Sequence, residues 1–264
     1  MRTLITGSRG TVGSALTKTL HARADEVIGW DRAAAPPHDA PACDTYLRDT
    51  DPEAIVHLAV ASSGTGVENE GRIVSVDWSE RLARYSAEAS IPFVFTSTVM
   101  VFTDDATGPF TIDTKPDATD GYGGEKAEAE RRVLEANPNA VIARLGWQIG
   151  EAPGSNNMID FLTNAMKKDG VVKASREWKP ATSFLADTAG ALTWLRDEAH
   201  AGRFRGVAMI DGNRSGHSFY DIVRALSEKH DGAFTVEADD SFVCDQRMLD
   251  ERVPVGQVGE RLGL

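Results

Sequence analysis

The sequence predicts an α/β protein with a doubly wound parallel sheet, on three observations. Over the first 150 residues, short apolar runs alternate with longer amphipathic ones, the rhythm of strand–helix units laid on a parallel sheet. The first run leads straight into a glycine-rich turn, Thr6-Gly7-Ser8-Arg9-Gly10-Thr11-Val12-Gly13, that opens a helix. Far downstream, Tyr122-Gly-Gly-Glu-Lys126 sets a tyrosine and a lysine one helical turn apart, on one face.

The elements follow in order. Residues 2–6 form the first strand, 11–23 the first helix and 26–30 the second strand, with Asp31 at its end. A third strand covers 54–59, and a Gly/Ser-rich loop at 61–66 leads to a long helix over 72–90. Residues 92–97 are a buried strand. The helix carrying Tyr122 and Lys126 runs to about residue 136, where Asn137-Pro138 stops it, since proline cannot continue the hydrogen-bond ladder. Residues 140–145 are another strand. Beyond 150 the rhythm changes: a loop at 151–157, a helix at 158–168, an irregular connection at 176–180, a helix at 187–199, a strand at 206–210, and a helix at 217–229 capped by Ser215 or Ser218. The chain thus divides into a core over residues 1–150 and a smaller portion over 151–264, some of whose elements pack back on the core.

Charge narrows the partners. A formal net charge of −12 and a pI near 5.0 disfavour a nucleic-acid surface, which needs clustered Lys and Arg. The two cysteines, Cys43 and Cys244, are far apart and imply neither a disulfide framework nor a metal site, and the six histidines form no ligand cluster. No apolar run reaches membrane-spanning length and no signal peptide opens the chain, so a soluble, cytoplasmic protein is expected.

The glycine turn is a dinucleotide fingerprint. Gly7, Gly10 and Gly13 let the backbone turn tightly and approach a pyrophosphate, while the helix N-terminus offers free N–H groups. This makes the sheet Rossmann-type. A carboxylate at Asp31 suits the adenosine ribose hydroxyls of NAD(H), whereas guanidiniums at Arg9 and Arg32 suit a 2′-phosphate. NADP(H) is preferred over NAD(H). Beside a lysine, a tyrosine becomes a usable general acid or base, because the ammonium favours the phenolate and lowers the phenol from about 10.

Together these segments resemble the extended short-chain dehydrogenase/reductase superfamily, and within it the dTDP-4-dehydrorhamnose reductase (sugar-nucleotide-binding) group. Thr6–Gly13 is similar to the group's opening turn, Phe95-Thr-Ser-Thr-Val-Met-Val-Phe102 to a strand carrying its catalytic threonine at Thr98, and Tyr122–Glu130 to its Tyr-Gly-x-x-Lys-x-x-x-Glu helix. Val141-Ile-Ala-Arg-Leu-Gly-Trp147 resembles a strand ending in an Arg and a Trp beside the substrate. Val99 and Met100 replace the group's Asp-Tyr, Ser75 replaces an Asn that steadies the active-site helix, and Ser62–Gly66 replaces a Val-Asp-x-Ala-Glu run.

The resemblance implies a carbonyl reductase acting on a keto group of a nucleotide-activated sugar. Tyr122 would protonate the developing alkoxide, Lys126 would lower its pKa and bond the nicotinamide ribose, and Thr98 would donate to the carbonyl oxygen, with Ser97 in reserve. Leu58 and Ala59 join Gly7, Arg9, Gly10, Thr11, Val12, Gly13, Asp31, Arg32 and Lys126 around the cofactor. Arg144, Asn157, Arg176 and Arg247 are candidates for the substrate's polar groups, and Trp147 and Trp178 for stacking on a base or sugar. A cofactor-retaining epimerase or dehydratase would need further acid/base groups near Thr98, where Val99 and Met100 are apolar. A non-catalytic dinucleotide-binding regulatory protein on the same fold is the third alternative. The helices near 72–90 and 121–136 resemble those through which many extended members dimerise. Val74, Leu82, Tyr85 and Ala89, with Ala127, Val133 and Leu134, supply apolar faces, so a homodimer is placed ahead of a monomer.

Overall fold

The computed structural model describes residues 1–61 and 66–264; Ser62, Ser63, Gly64 and Thr65, singled out above as a departure, lie outside the described residues. Six parallel strands form the central sheet: β1 (Arg2–Thr6), β2 (Glu26–Gly29), β3 (Ala54–His57), β4 (Phe93–Thr98), β5 (Val141–Leu145) and β6 (Gly206–Ile210). Their spatial order is β2-β1-β3-β4-β5-β6, so the winding reverses between β1 and β3. Ligands of such sheets bind outside the carboxyl ends of the strands at that reversal.

The strands alternate in the faces they bury, as a period of two requires. Leu4, Ile55, Phe93, Phe95 and Ile142 point to one side, where they meet Leu47, Trp78, Leu82 and Val133. These come from α2 (Ala40–Thr50), α3 (Trp78–Ala89) and α4 (Gly121–Ala136). Ile5, Val56, Val94 and Val141 point to the other side, against Leu16 and Leu20 of α1 (Thr11–Ala22) and Leu192 and Leu195 of α6 (Leu185–His200). Both faces are thus covered, which is why the strands read as continuous apolar runs. Between β1 and β2 and the neighbouring helices, α5 (Met158–Asp169) and α7 (Phe219–Lys229) take no part; they close a separate apolar cluster with Ile149, Val172 and Phe234. α6 and β6 come from beyond residue 150 yet complete the sheet layers.

The helix expected over 72–90 is present as a turn at Glu70–Arg72, a π-helical stretch at Ile73–Asp77 and α3. Ser218 caps α7 in a reciprocal capping box with Asp221, which decides between the two serines considered. Helix α2 was not expected: only Cys43 and Leu47 are buried along it, and Pro41 stands in its first turn, where a missing N–H is tolerated. Within 176–180, expected to be irregular, Trp178–Lys179 pairs with Cys244–Asp245.

The faces expected to form a dimer seam are largely taken up internally. Val74, Leu82 and Val133 are fully buried in the core, and Tyr85 and Leu134 pack against it. What α3 and α4 show outward is charge: Arg72 pairs with Glu128 at 2.7 Å, Arg132 with Asp77 at 2.8 Å and with Glu80, and Arg131 with Glu135 at 2.7 Å. Among the described residues, no helix is long and apolar enough to cross a membrane, no group of His, Cys, Asp and Glu could hold a metal ion, and both cysteines are free and buried.

Candidate active site

A crevice of about 1160 Å³ opens at the carboxyl ends of β1, β3, β4 and β5. One end is the glycine turn. Gly10 precedes α1 without any side-chain cap, so the helix presents its first N–H groups outward. A Cβ on Gly13 would overlap the Gly7 carbonyl oxygen, which shows why the turn closes only with glycine there. Gly7, Gly10, Thr11, Val12, Gly13 and Leu58 all line the crevice, and this uncapped, side-chain-free cradle fits a dinucleotide pyrophosphate.

The β3 side is set by a buried relay. Ser79 donates its hydroxyl to the Ser75 carbonyl at 2.8 Å, so its oxygen is left to accept from His57 Nε2 at 2.9 Å. His57 Nδ1 then accepts from the Thr6 hydroxyl at 2.6 Å, and Thr6 Oγ1 in turn accepts from the Leu58 and Ala59 amides. Burial first, and Lys126 second, lower the His57 pKa to about 3, so the ring is neutral. Ala59 is buried in this relay rather than lining the crevice. Ser75, on the π stretch, thus reaches the site through its backbone carbonyl.

Thr98 and Tyr122 stand at the middle of the crevice. Thr98 ends β4 and caps the short turn Val99–Val101, its Oγ1 accepting from the Met100 amide at 3.2 Å. The accepted bond uses a lone pair of Oγ1 and leaves the hydroxyl proton available to donate, and Thr98 lines the crevice. The neighbouring Ser97 Oγ is buried without a hydrogen-bond partner among the described residues. Gly123 brings α4 against this turn, since a Cβ there would overlap the Met100 carbonyl oxygen. That approach puts Tyr122 in the same crevice, 41% exposed. Lys126 is buried and donates to the Thr96 carbonyl at 2.9 Å, with its ammonium 4.5 Å from the Phe95 ring centroid and 5.9 Å from that of Tyr122. Burial lowers its pKa to about 8, against the opposing pull of Glu130 and Glu125. The expected lowering of the Tyr122 pKa is corrected: desolvation of the phenol raises it.

Several expected binding residues stand elsewhere. Arg144 is buried in a two-pronged pair with Glu130, at 2.9 and 2.7 Å, and belongs to the interior. Asn157 caps α5 and ties the preceding loop through Ala152 and Ser155; its neighbour Asn156 lines the crevice instead. Arg176 is held by Asp240 and Arg247 by Asp245 at 2.6 Å, just outside the lining residues Trp178 and Gln246. Asp31 caps its own turn by accepting from the Ala33 amide at 2.8 Å, and Arg32 pairs with Glu70 at 2.9 Å. Arg9 lies on a groove on the outer side of the turn, with Lys18 and His21. Trp147 and Trp178 do line the crevice, as does Met100, noted above as a departure, together with Gln148, Phe242 and Gln246, which the sequence did not single out. For Gln148 the only signal was its place beside Trp147; for Phe242 there was none.

Residues 1–200 match the family model described as RmlD substrate binding domain. The chain belongs to this family. Among curated relatives, it is 25% identical to the probable low-salt glycan biosynthesis reductase Agl14 of Haloferax volcanii, over 61% of this chain and 58% of the relative. It is 30% identical to methionine adenosyltransferase 2 subunit beta of Xenopus tropicalis, over 57% and 48% of the two chains. The dTDP-4-dehydrorhamnose reductase of Mycolicibacterium smegmatis is 24% identical over 74% and 60%. The chain therefore spans about half to three-fifths of the length of these family relatives. In fold, it is similar to the dTDP-4-dehydrorhamnose reductase of Bacillus anthracis in complex with NADP, with TM-score 0.83, 16% identity, and 99% and 97% of the chains covered. It is also similar to the Bordetella bronchiseptica enzyme WbmG in complex with NAD and UDP, with TM-score 0.76, 20% identity, and 96% and 86% covered. These likenesses show that the chain shares their fold.

Proposed function

We propose that the chain is an NAD(P)H-dependent reductase of a carbonyl group, the keto group of a nucleotide-activated sugar. The observation that carries this is that Thr98 and Tyr122 line the crevice that begins at the glycine turn, with the buried Lys126 ammonium 5.9 Å from the Tyr122 ring centroid and bonded to the Thr96 carbonyl. The bound dinucleotide supplies the hydride for the carbonyl carbon. Thr98 donates a hydrogen bond to the carbonyl oxygen as negative charge gathers there. Tyr122 gives its proton to that oxygen, and the product is the alcohol. A phenol whose pKa is raised by burial is protonated at neutral pH but is a weaker acid, so its proton transfer depends on charge having developed on the carbonyl oxygen. Lys126 has one acceptor among the described residues, Thr96, leaving donors for the ribose hydroxyls of a nicotinamide nucleotide.

NADP(H) is the preferred form, Arg9 and Arg32 being the groups that would meet a 2′-phosphate; Arg32 would exchange Glu70 for it. The nucleotide-sugar assignment draws on the reductases among the relatives. A sugar-borne diphosphate would reach Arg176 and Arg247 only by displacing Asp240 and Asp245. Loss of NADPH absorbance at 340 nm on addition of dTDP-4-dehydrorhamnose, abolished in Tyr122→Phe, is the test. A second reading is a dinucleotide-binding subunit without turnover, favoured by the likeness to a protein named as a subunit of another enzyme. Heat stabilisation by NADPH with no turnover on any keto sugar nucleotide would select it.

A further inference from the structure

We infer that Gln148 sets substrate specificity: its carboxamide oxygen accepts a hydrogen bond from a hydroxyl of a hydroxylated ring whose apolar face lies against Trp178. The inference rests on the reductase reading and names the group within the substrate that the site recognises.

Gln148 stands at the centre of the short strand Trp147–Ile149, in register with Ser183 of Thr182–Phe184. Gln148 and its neighbour Trp147 both line the crevice that Thr98 and Tyr122 share, and Trp147 also packs against the apolar cluster of the C-terminal portion to which Ile149 belongs. It is 6% exposed. Its Nε2 donates to the Gly146 carbonyl at 2.9 Å, which fixes both the plane of the carboxamide and which end is oxygen. Oε1 is then shielded from solvent and has no hydrogen-bond partner among the described residues. Buried acceptors are almost always paired, and one left open beside a ligand crevice marks a place where the ligand brings the donor.

The surroundings define that ligand. Trp147 and Trp178 lie nearly parallel, with ring centroids 6.2 Å apart, and Phe242 meets Trp178 edge-on at 5.4 Å. This rigid wall offers π faces to the C–H side of a ring. Other polar groups of the crevice include Asn156 and, beside Trp178, the Gln246 amide and the Asp104 carboxylate, which are bonded to each other at 3.4 Å. Hydroxyl donors satisfy a lone acceptor beside an aromatic wall; an anionic group does not.

With NADPH saturating, wild type and Gln148→Met are assayed on dTDP-4-dehydrorhamnose and on its 2-deoxy and 3-deoxy analogues. Wild type is expected to favour the parent over one analogue by about 10- to 100-fold in kcat/KM, the effect of one hydrogen bond to a buried group. Gln148→Met is expected to lose that preference, chiefly through KM, with Tm unchanged or raised, because an unpaired buried acceptor has been removed. A merely structural glutamine would lower Tm and slow all three substrates alike, which overturns the inference. An undiminished preference in the variant overturns it too, as does a wild type that NADPH stabilises against heat but that reduces none of the three. A wild type that NADPH does not stabilise overturns the reductase reading itself.

Discussion

Lys126 reaches from α4 to the Thr96 carbonyl oxygen of β4, 2.9 Å away, and so ties the helix that starts at Tyr122 to the strand that ends at Thr98. The ammonium is buried over the Phe95 ring, and its pKa falls to about 8. Its charged form is therefore lost as the pH rises through about 8, and affinity for NADPH, read by titration calorimetry, is expected to fall over the same range. Unfolding cannot mimic this. Between about pH 8 and 10.5 the unfolded chain keeps a proton that the folded one has released, so the lysine makes folding more favourable as the pH rises. Lys126→Met should weaken binding and remove its pH dependence.

Tyr122→Phe removes only the proton donor. NADPH binding is expected to stay within a few-fold of wild type, and turnover to fall by about 10²-fold or more. Near-normal turnover would assign the proton to another group.

His57 and Asp211 give the protein a composite acid response. The folded chain keeps His57 neutral down to about pH 3, whereas the unfolded chain takes up a proton near 6.5, so stability falls with the pH in that window by up to about 1.4 kcal/mol per unit. Asp211 acts in the opposite sense: burial raises its pKa to about 6, so the folded state holds the extra proton between about 6 and 3.8 and gains stability as the pH falls. Urea titrations of His57→Gln across pH 7 to 4 should show a shallower acid loss than wild type, and of Asp211→Asn a steeper one.

The buried Arg144–Glu130 pair should show strong non-additivity. Glu130→Gln or Arg144→Met alone leaves a buried charge uncompensated and is expected to cost about 3–5 kcal/mol. The double variant Glu130→Leu with Arg144→Met should recover much of that. Equal losses from the double and the sum of singles in chemical denaturation would show two independent charges.

Gly13→Ala is expected to abolish heat stabilisation by dinucleotide. At a hundredfold excess over Kd, a bound ligand adds about 2.7 kcal/mol to wild type, visible as a rise in Tm. The variant should show no rise, because its Cβ forces the turn open against the Gly7 carbonyl.

The sheet was legible because both of its faces are covered, so its central strands carry apolar residues on both sides, and the first turn was legible because its backbone geometry admits only glycine at Gly13. Tyr122 and Lys126 were singled out by their spacing and Thr98 by the family resemblance; Thr98 and Tyr122 line one crevice, and Lys126 is buried beside it. The substrate end was not legible. Arg144, Arg176 and Arg247 were chosen for what guanidiniums can bind, but each has a carboxylate partner: folding brings Glu130 to Arg144 and Asp240 to Arg176, and Asp245 stands two residues before Arg247. Asn157 was chosen as an amide near the site and proved to be a helix cap, a role its sequence context before Met158 could have signalled. Gln148 gave no sign because an unpaired acceptor is a property of the fold.

The outward ion pairs of α3 and α4 bear on how self-sufficient the catalytic helix is. Arg132 of α4 bridges back to Asp77 and Glu80, and Glu128 of α4 holds Arg72, so the two rods are stapled to each other along their length. Staples of this kind fix the angle between two rods without any clamp from outside. The turn that begins at Tyr122 is thus braced by its own chain.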